Sequence, residues 1–198
     1  MNPLNTKQSE DFQELVYLQE KLTQSAISYW KNYSHFGTWQ FWVILLMLVG
    51  PLVILVFTIN RKNIFHICFF GFSVHVLFAY TDIFGIRYGL WGYPYQVIPF
   101  LPSISIDAAL IPITIMFVYQ WTLLNKKNYY LYAFLTALFF GFIFKPLLSL
   151  HKLFIKFEWV NYIYIFAIYI ILFLLAYFMT EAFLWLQKSH KFKIKHKS

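Results

Sequence analysis

The chain has 198 residues, of which 60% are hydrophobic and 12% are charged. Soluble domains carry about 25% charged residues, so this composition argues against an ordinary soluble domain and fits a protein whose solvent is mostly lipid. The net charge is +8, but no nucleic-acid-binding motif accompanies it. Its basic residues lie in hinges and in the tail, which favours membrane lipids as partners and argues against nucleic acid. With Cys68 as the single cysteine, an intrachain disulfide is excluded.

Residues 1–38 form a polar lead segment. Ser9, followed by two acidic residues, resembles a helix start with a capping hydroxyl. Apolar residues then recur at helical spacing from Phe12 to Tyr33, which predicts an amphipathic helix lying on the membrane or on the bundle. A helix that docks a membrane protein partner is the alternative.

Five long apolar stretches follow, at about 39–59, 64–84, 105–124, 129–150 and 160–186. Each is long enough for a hydrocarbon core of about 30 Å at 1.5 Å per residue. The predicted fold is therefore all-α: a polytopic membrane bundle of five transmembrane helices (39–187), preceded by the amphipathic segment (1–38) and followed by a basic tail (188–198). Pro112 inside the third span predicts a kink.

The distribution of basic residues predicts the orientation in the membrane. An odd number of spans places the two termini on opposite sides. One side then holds Arg61, Lys62, Lys126, Lys127 and the tail lysines 188, 191, 193, 195 and 197. The positive-inside rule predicts a cell-membrane protein with its C-terminus in the cytoplasm and its N-terminus outside.

Five charged residues from separate segments fall at a similar depth near the outer side: Asp82, Arg87, Asp107, Lys145 and Glu158. A charge facing lipid at the bilayer centre costs about 2.5–3.5 kcal/mol on insertion scales. We therefore predict a polar cluster of Asp82, Asp107 and Lys145 with inward-facing side chains. The cluster is either a structural ion pair that locks three helices or a ligand site that opens outward.

The connection Gly85–Pro102 lies above this predicted cluster. Its glycines and prolines argue against a regular helix, and its aromatic residues Trp91, Tyr93 and Tyr95 suit the headgroup zone. The connection is either a static interfacial cap or a lid that shapes a pocket.

His75 lies on the same helix face as Asp82, two turns earlier in the sequence. The separation of about 10 Å is too large for one metal ion to bridge. A hydrogen-bonded histidine inside the bundle is the favoured interpretation. No metal-binding spacing and no cofactor motif is present, so we predict neither a metal nor a cofactor.

Several sequence strings resemble an uncharacterised family of multi-pass membrane proteins of Bacillus-type and Clostridium-type bacteria. The similarity covers about residues 35–185, and the strings are His35-Phe36-Gly37-Thr38-Trp39-Gln40-Phe41-Trp42, Phe69-Phe70-Gly71-Phe72 with His75, Gly89-Leu90-Trp91-Gly92-Tyr93-Pro94-Tyr95, Leu101-Pro102, Asp107-Ala108-Ala109-Leu110-Ile111-Pro112 and Tyr119-Gln120-Trp121-Thr122. The resemblance implies a bacterial cell-membrane protein. That family has no assigned activity, so it implies no catalytic residues.

Three classes of function fit these observations. The first is a binding or sensing module that holds a lipid, a small molecule or a partner protein at the outer polar site. The second is a small transporter or proton-coupled carrier, which the nearly apolar inner halves of the spans argue against. The third is an intramembrane enzyme acting on a lipid-like substrate, although no nucleophile–base pair is visible. We favour the binding or sensing module, and whether the protein is an enzyme stays open.

Overall fold

The computed structural model of the protein describes residues 5–157 and 159–195, with side chains as far as residue 189. Glu158, one of the charged residues predicted near the outer side, and the tail residue Lys197 lie outside the described residues. The side chains of Lys191, Lys193 and Lys195 also lie outside them.

Within the described residues, the regular structure consists of seven α-helices and two short strands. The helices are α1 (Thr6–Tyr29), α2 (Trp39–Thr58), α3 (Ile64–Arg87), α4 (Ile111–Leu124), α5 (Tyr129–Phe139), α6 (Lys145–Leu150) and α7 (Tyr162–Lys195), and the strands are β1 (Trp91–Gly92) and β2 (Ile155–Lys156). Wider π-helical turns cover Trp30–Ser34, Ser105–Leu110 and Phe140–Phe144, and a tighter 3-10 turn covers Arg61–Asn63.

In this part of the chain, five helical stretches are long and apolar enough to cross a membrane. They are Trp39–Thr58, Arg61–Arg87, Ser105–Leu124, Tyr129–Leu150 and Tyr162–Ser189, and we call them the first to fifth spans. The surfaces that these spans turn away from the bundle interior carry large exposed apolar side chains, such as Phe57 at 81% and Phe65 at 90% exposure. Such faces suit a lipid solvent. The prediction of an all-α membrane bundle with five spans is confirmed.

Two helix ends differ from the predicted boundaries. Helix α3 continues past Phe84 to Arg87, which shortens the connection after it. Helix α7 continues through the start of the basic tail to Lys195, so no break in secondary structure separates the last span from these residues. Apolar periodicity marks where a membrane stretch ends, but a helix continues as long as its backbone hydrogen bonds are made.

Helix α1 forms as predicted, but it starts earlier in the chain than expected. Asn5 caps it, because its side-chain oxygen accepts a hydrogen bond of 2.7 Å from the Gln8 backbone amide. Ser9 already lies inside the helix, so the prediction that Ser9 caps it was wrong. No residue of α1 is buried, and Phe12 and Leu15 are 59% and 64% exposed. The membrane-facing role of α1 stays a prediction.

The segment after α1 is fixed to the connection that follows the second span. The Trp30 indole donates a hydrogen bond of 2.9 Å to the Gln96 carbonyl. The Ser34 hydroxyl donates to the same carbonyl and accepts from the Gln96 amide at 2.6 Å. The lead segment is therefore joined to the loop that lies over the outer polar residues.

Aromatic side chains fill the interior between α3, α4, α5 and α7. Phe70, which is fully buried, stacks on Tyr119 with ring centroids 4.2 Å apart. Tyr129 stacks on Tyr177 at 4.6 Å and meets the edge of Tyr119 at 5.6 Å. Aromatic pairs of this kind contribute about 0.5–1.5 kcal/mol each beyond the area that they bury.

A widened turn precedes Pro112, where the sequence predicted a kink. A proline has no N–H, and its ring crowds the carbonyl four residues before it. The chain adopts the π-helical turn Ser105–Leu110 just before Pro112, with the Ile111 amide bonded to the Ile106 carbonyl five residues back. Asp107 lies within this turn.

The fourth span repeats this arrangement. The π-helical turn Phe140–Phe144 precedes Pro146, and the Lys145 amide bonds to the Phe140 carbonyl. Two buried charged residues, Asp107 and Lys145, therefore lie in or directly after a widened turn. Turns of this kind are frequent at functional sites.

Gly141 allows the fourth and fifth spans to approach closely. An alanine Cβ at this position would lie 2.9 Å from the Phe166 Cβ and 3.1 Å from its Cα. Because backbone atoms cannot move aside without shifting α7, Gly141→Ala is expected to lower the free energy of unfolding by about 1–3 kcal/mol. The measurement is thermal unfolding of the purified protein in detergent.

Gly50 in α2 is the matched control. Apart from its chain neighbours, a Cβ there meets only the Leu46 side chain, at an ordinary 3.6 Å. Gly50→Ala should change stability by less than about 1 kcal/mol, because the helix preference of alanine is offset by the contact of its Cβ with the Pro51 ring. Equal losses in the two variants would contradict the close approach at Gly141.

Candidate functional site

Two connections close the outer end of the bundle and are hydrogen-bonded to each other. The connection between the second and third spans covers residues 88–104, and the connection between the fourth and fifth spans covers 151–161. Strand β1 of the first pairs antiparallel with β2 of the second, with Trp91 opposite Lys156. The Phe157 amide also donates to the Leu90 carbonyl at 2.9 Å. This short sheet was not predicted.

Trp91 and Tyr93 point from the first connection into the bundle, where both bind Asp82. The Trp91 indole N–H donates to Asp82 Oδ1 at 2.9 Å. The Tyr93 hydroxyl donates to Asp82 Oδ2 at 2.6 Å. All three residues are buried. Gly85 makes room for the indole, because a Cβ at position 85 would overlap the Trp91 ring.

Lys145 reaches this carboxylate through the tyrosine. Its Nζ donates to the Tyr93 hydroxyl at 2.9 Å and lies 4.0 Å from the ring centroid of Phe154. Burial raises the pKa of Tyr93 well above its usual range, and the neighbouring Asp82 and Asp107 charges raise it further. The phenol therefore keeps its proton, and it bridges the ammonium and the carboxylate by accepting from one and donating to the other.

Asp107 lies close enough to Asp82 and Lys145 for their charges to interact. It is 3% exposed, and its Oδ2 atom has no hydrogen-bond partner. Its main-chain carbonyl accepts a hydrogen bond of 2.8 Å from His75 Nδ1. Because a carbonyl only accepts, His75 must carry a proton on Nδ1. A buried carboxylate oxygen without a partner is uncommon and calls for an explanation.

The space beside these residues is small. A cavity of about 20 Å³ is lined by Asp82, Trp91 and Lys145 together with apolar side chains. A second cavity, of about 10 Å³, lies beside Tyr93 and Tyr95. A cavity of roughly 10–15 Å³ is enough for one water molecule. The space beside Asp82 and Lys145 therefore has room for a water molecule or a small ion. Asp107 lines neither of these two cavities, so a ligand reaches its Oδ2 atom only if the connection 88–104 moves.

The structure brings most of the predicted site residues together, but not all of them. We call Asp82, Trp91, Tyr93, Asp107 and Lys145 the outer cluster. His75 contacts it through the Asp107 main chain, and Tyr95 lines the neighbouring cavity. Arg87 is exposed and lies outside the outer cluster. It follows Asp82 by five residues on the same helix, which turns it about 140° away around the axis.

A second group of polar residues lies at the opposite end of the bundle. His66 Nε2 and the Tyr119 hydroxyl are hydrogen-bonded, and the Glu181 charge acts on both. No role was predicted from the sequence for His66 or Tyr119. They are 53 residues apart in the chain, so no local spacing could have indicated the contact. The fully buried side chains of Phe70, Val74 and Phe173 separate this group from the outer cluster.

Comparisons with models of known protein families, with curated proteins and with solved structures give no match for this chain. The chemistry of the site is therefore the basis for assigning a function. Among the described residues, no group of three or more His, Cys, Asp or Glu side chains could hold a metal ion.

Replacing Lys145 tests whether the outer cluster is energetically coupled. Lys145→Met leaves two buried carboxylates without a cation, and removing one partner of a buried charge pair typically costs about 3–5 kcal/mol. We expect a loss of that size in the free energy of unfolding, measured by thermal or chemical unfolding in detergent. Lys127→Met, at an exposed lysine, is the control and should have little effect.

The double variant Lys145→Met/Asp82→Asn decides the cause of this loss. It removes both charges, so it should recover much of the stability that Lys145→Met loses. If the two substitutions add with no recovery, the lysine acts through packing and the charges are not coupled.

Proposed function

We propose that the protein is a binding or sensing module of a bacterial cell membrane and that the outer cluster recognises a small cationic ligand. The observation that carries the proposal is the buried Asp107 Oδ2 atom, which has no partner. It lies in a cluster that contains two carboxylates and one ammonium. The ligand would supply the missing partner to Asp107.

Charge balance supports a cation. Two carboxylates in one buried site hold one proton between them, which together with the Lys145 ammonium leaves the empty cluster neutral. A cation that displaces this proton keeps the charge of the cluster balanced, whereas an anion would add an uncompensated buried charge.

Size and access support a small ligand. The cavity next to Asp82 and Lys145 is about 20 Å³, and Trp91 of the connection 88–104 is part of its lining. Tyr93 of the same connection lines the second cavity. Gly89, with a φ of 64°, lies just before these two aromatic residues. We propose that the connection 88–104 is the lid of the site and that Gly89 allows it to move.

The orientation of the protein is part of this proposal. Basic residues of the hinges at 60–63 and 125–128 lie at the end of the bundle opposite the outer cluster. By the positive-inside rule, that end faces the cytoplasm. The N-terminus and the outer cluster would then lie on the external side, where the ligand would arrive.

A small cation-coupled carrier is the second candidate. The hydrogen-bonded pair of His66 and Tyr119 favours it, because it provides polar groups in the inner half of the bundle. The buried apolar layer of Phe70, Val74 and Phe173 argues for binding over transport, since it separates the two polar groups.

Asp107→Asn tests the proposed ligand. We expect ammonium, which is about the size of a water molecule, to raise the melting temperature of the wild-type protein in a saturable manner at constant ionic strength, whereas the larger tetramethylammonium ion should not. At 100 times its Kd, a ligand adds about 2.7 kcal/mol to the free energy of unfolding. Asp107→Asn should abolish this response, while its own stability without ligand stays the same or rises.

Asp11→Asn is the matched control, because it removes a carboxylate that is exposed on α1. This variant should respond to the cation as the wild type does. The proposal is refuted if ammonium does not stabilise the wild-type protein, or if Asp107→Asn responds to ammonium as strongly as the control.

Cysteine labelling tests the orientation. In a Cys68→Ser background, Tyr88→Cys and Lys127→Cys place thiols at exposed positions at opposite ends of the bundle. A membrane-impermeant maleimide should label Tyr88→Cys in intact cells, and Lys127→Cys only after permeabilisation. The reverse pattern would overturn the proposed topology.

A further inference from the structure

A wide groove separates the first part of the second span from the last part of the fifth. Its volume is about 640 Å³, and it is lined by Lys62, His66, Phe69, Thr180, Phe183 and Gln187 among others. Ligand pockets typically measure about 300–1,000 Å³. His66 lies sixteen residues before Asp82 on α3, about 24 Å along the helix axis. The groove is therefore a separate feature at the other end of the bundle.

The lining of this groove is divided into two chemical types. Lys62, Asn63 and Gln187 provide polar groups at the helix ends, and Lys188 lies close enough for its charge to act on His66. Phe65, Phe69, Phe183 and Leu184 provide an apolar surface. Phe69 and Phe183 are in edge-to-face contact with ring centroids 5.3 Å apart.

The position of the groove restricts its occupant. Both helices that form it belong to membrane spans, Arg61–Arg87 and Tyr162–Ser189. Phe65 and Phe183 at its edge are 90% and 57% exposed, so the groove opens at a surface that lipid covers. A molecule that fills it has to be apolar along most of its length and polar at one end.

The charge at the polar end selects the headgroup. Lys62 is the charged side chain that lines the groove, and it lies beside the amides of Asn63 and Gln187. Neither Lys188 nor Glu181 lines the groove, and their charges act on His66 with opposite sign. Basic pockets between transmembrane helices bind lipid headgroups by this chemistry.

We infer that this groove is a binding site for an anionic phospholipid, with its phosphate bound by Lys62 and attracted by the Lys188 charge at the same end of the bundle, and with an acyl chain lying along Phe69 and Phe183. The site is independent of the outer cluster and of the cation proposed there. A phosphate diester fits the two lysines and the amide donors, and the aromatic side chains match the acyl chain.

The test is native mass spectrometry of the full-length protein in detergent, titrated with phosphatidylglycerol and with phosphatidylcholine. The wild-type protein should retain phosphatidylglycerol in preference to phosphatidylcholine. Lys62→Gln/Lys188→Gln should weaken phosphatidylglycerol binding by about 30-fold, the factor expected for the loss of two lysines near an anionic headgroup. Both lysines are exposed, so this variant should keep the melting temperature of the wild type.

Lys126→Gln/Lys127→Gln is the matched control, since it removes the same charge from the other hinge at this end of the bundle. It should leave phosphatidylglycerol binding within about twofold of the wild type, because a lysine acts over roughly a Debye length. If the two double variants lose phosphatidylglycerol binding equally, the lysines act only through the general positive charge at this end of the bundle, and the proposed site is wrong. Equal retention of the two lipids by the wild type would also overturn it.

Leu184→Trp tests the apolar half without changing any charge. The larger side chain should fill part of the groove and weaken phosphatidylglycerol binding, with the melting temperature serving as the check on folding. A folded Leu184→Trp protein that binds phosphatidylglycerol as the wild type does would contradict the acyl-chain position. If this variant does not fold, the lysine pair alone decides the proposal.

Discussion

The outer half of the molecule depends on one constraint: a charge buried among membrane-spanning helices needs a partner. Asp82 satisfies it with two aromatic donors, Trp91 and Tyr93, and through the tyrosine hydroxyl with Lys145. This chain of hydrogen bonds connects the second span, the connection 88–104 and the fourth span. The folding of the connection and the closure of the bundle are therefore linked by the same few bonds. Asp107 is the member whose oxygen remains without a partner.

The spans and the convergence of Asp82, Asp107 and Lys145 could be predicted from the sequence, because lipid imposes both a length and an inward direction on charged side chains. The bridging role of Tyr93 could not be predicted, since an aromatic residue in a loop suits the headgroup zone equally well. Arg87 lies at the membrane depth predicted for the cluster, but its side chain points away from the cluster. Position along the helix determines the depth of a side chain, whereas its angle around the helix axis determines the direction in which it points. His66 and Tyr119 meet only through tertiary packing.

The two polar regions of the bundle differ in chemistry. The outer cluster is buried, borders space for about one water molecule, and contains two carboxylates and one ammonium. The groove beside His66 is open, about 640 Å³ in volume, and bordered by Lys62. Closed acidic space suits a small cation, whereas an open basic groove with an aromatic floor suits a lipid. Their separation by a buried apolar layer allows each to be altered by mutation without direct contact with the other.

The pairing of β1 with β2 has a mechanical consequence. Because Trp91 lies opposite Lys156 and Leu90 bonds to Phe157, the connection 88–104 cannot move independently of the connection 151–161. Its displacement pulls on the segment that leads into α7, a helix of 34 residues. Gln187 and Phe183 of that helix line the groove at the other end of the bundle. A movement at one end of the bundle is therefore linked, through the backbone of a single helix, to the shape of the groove at the other end.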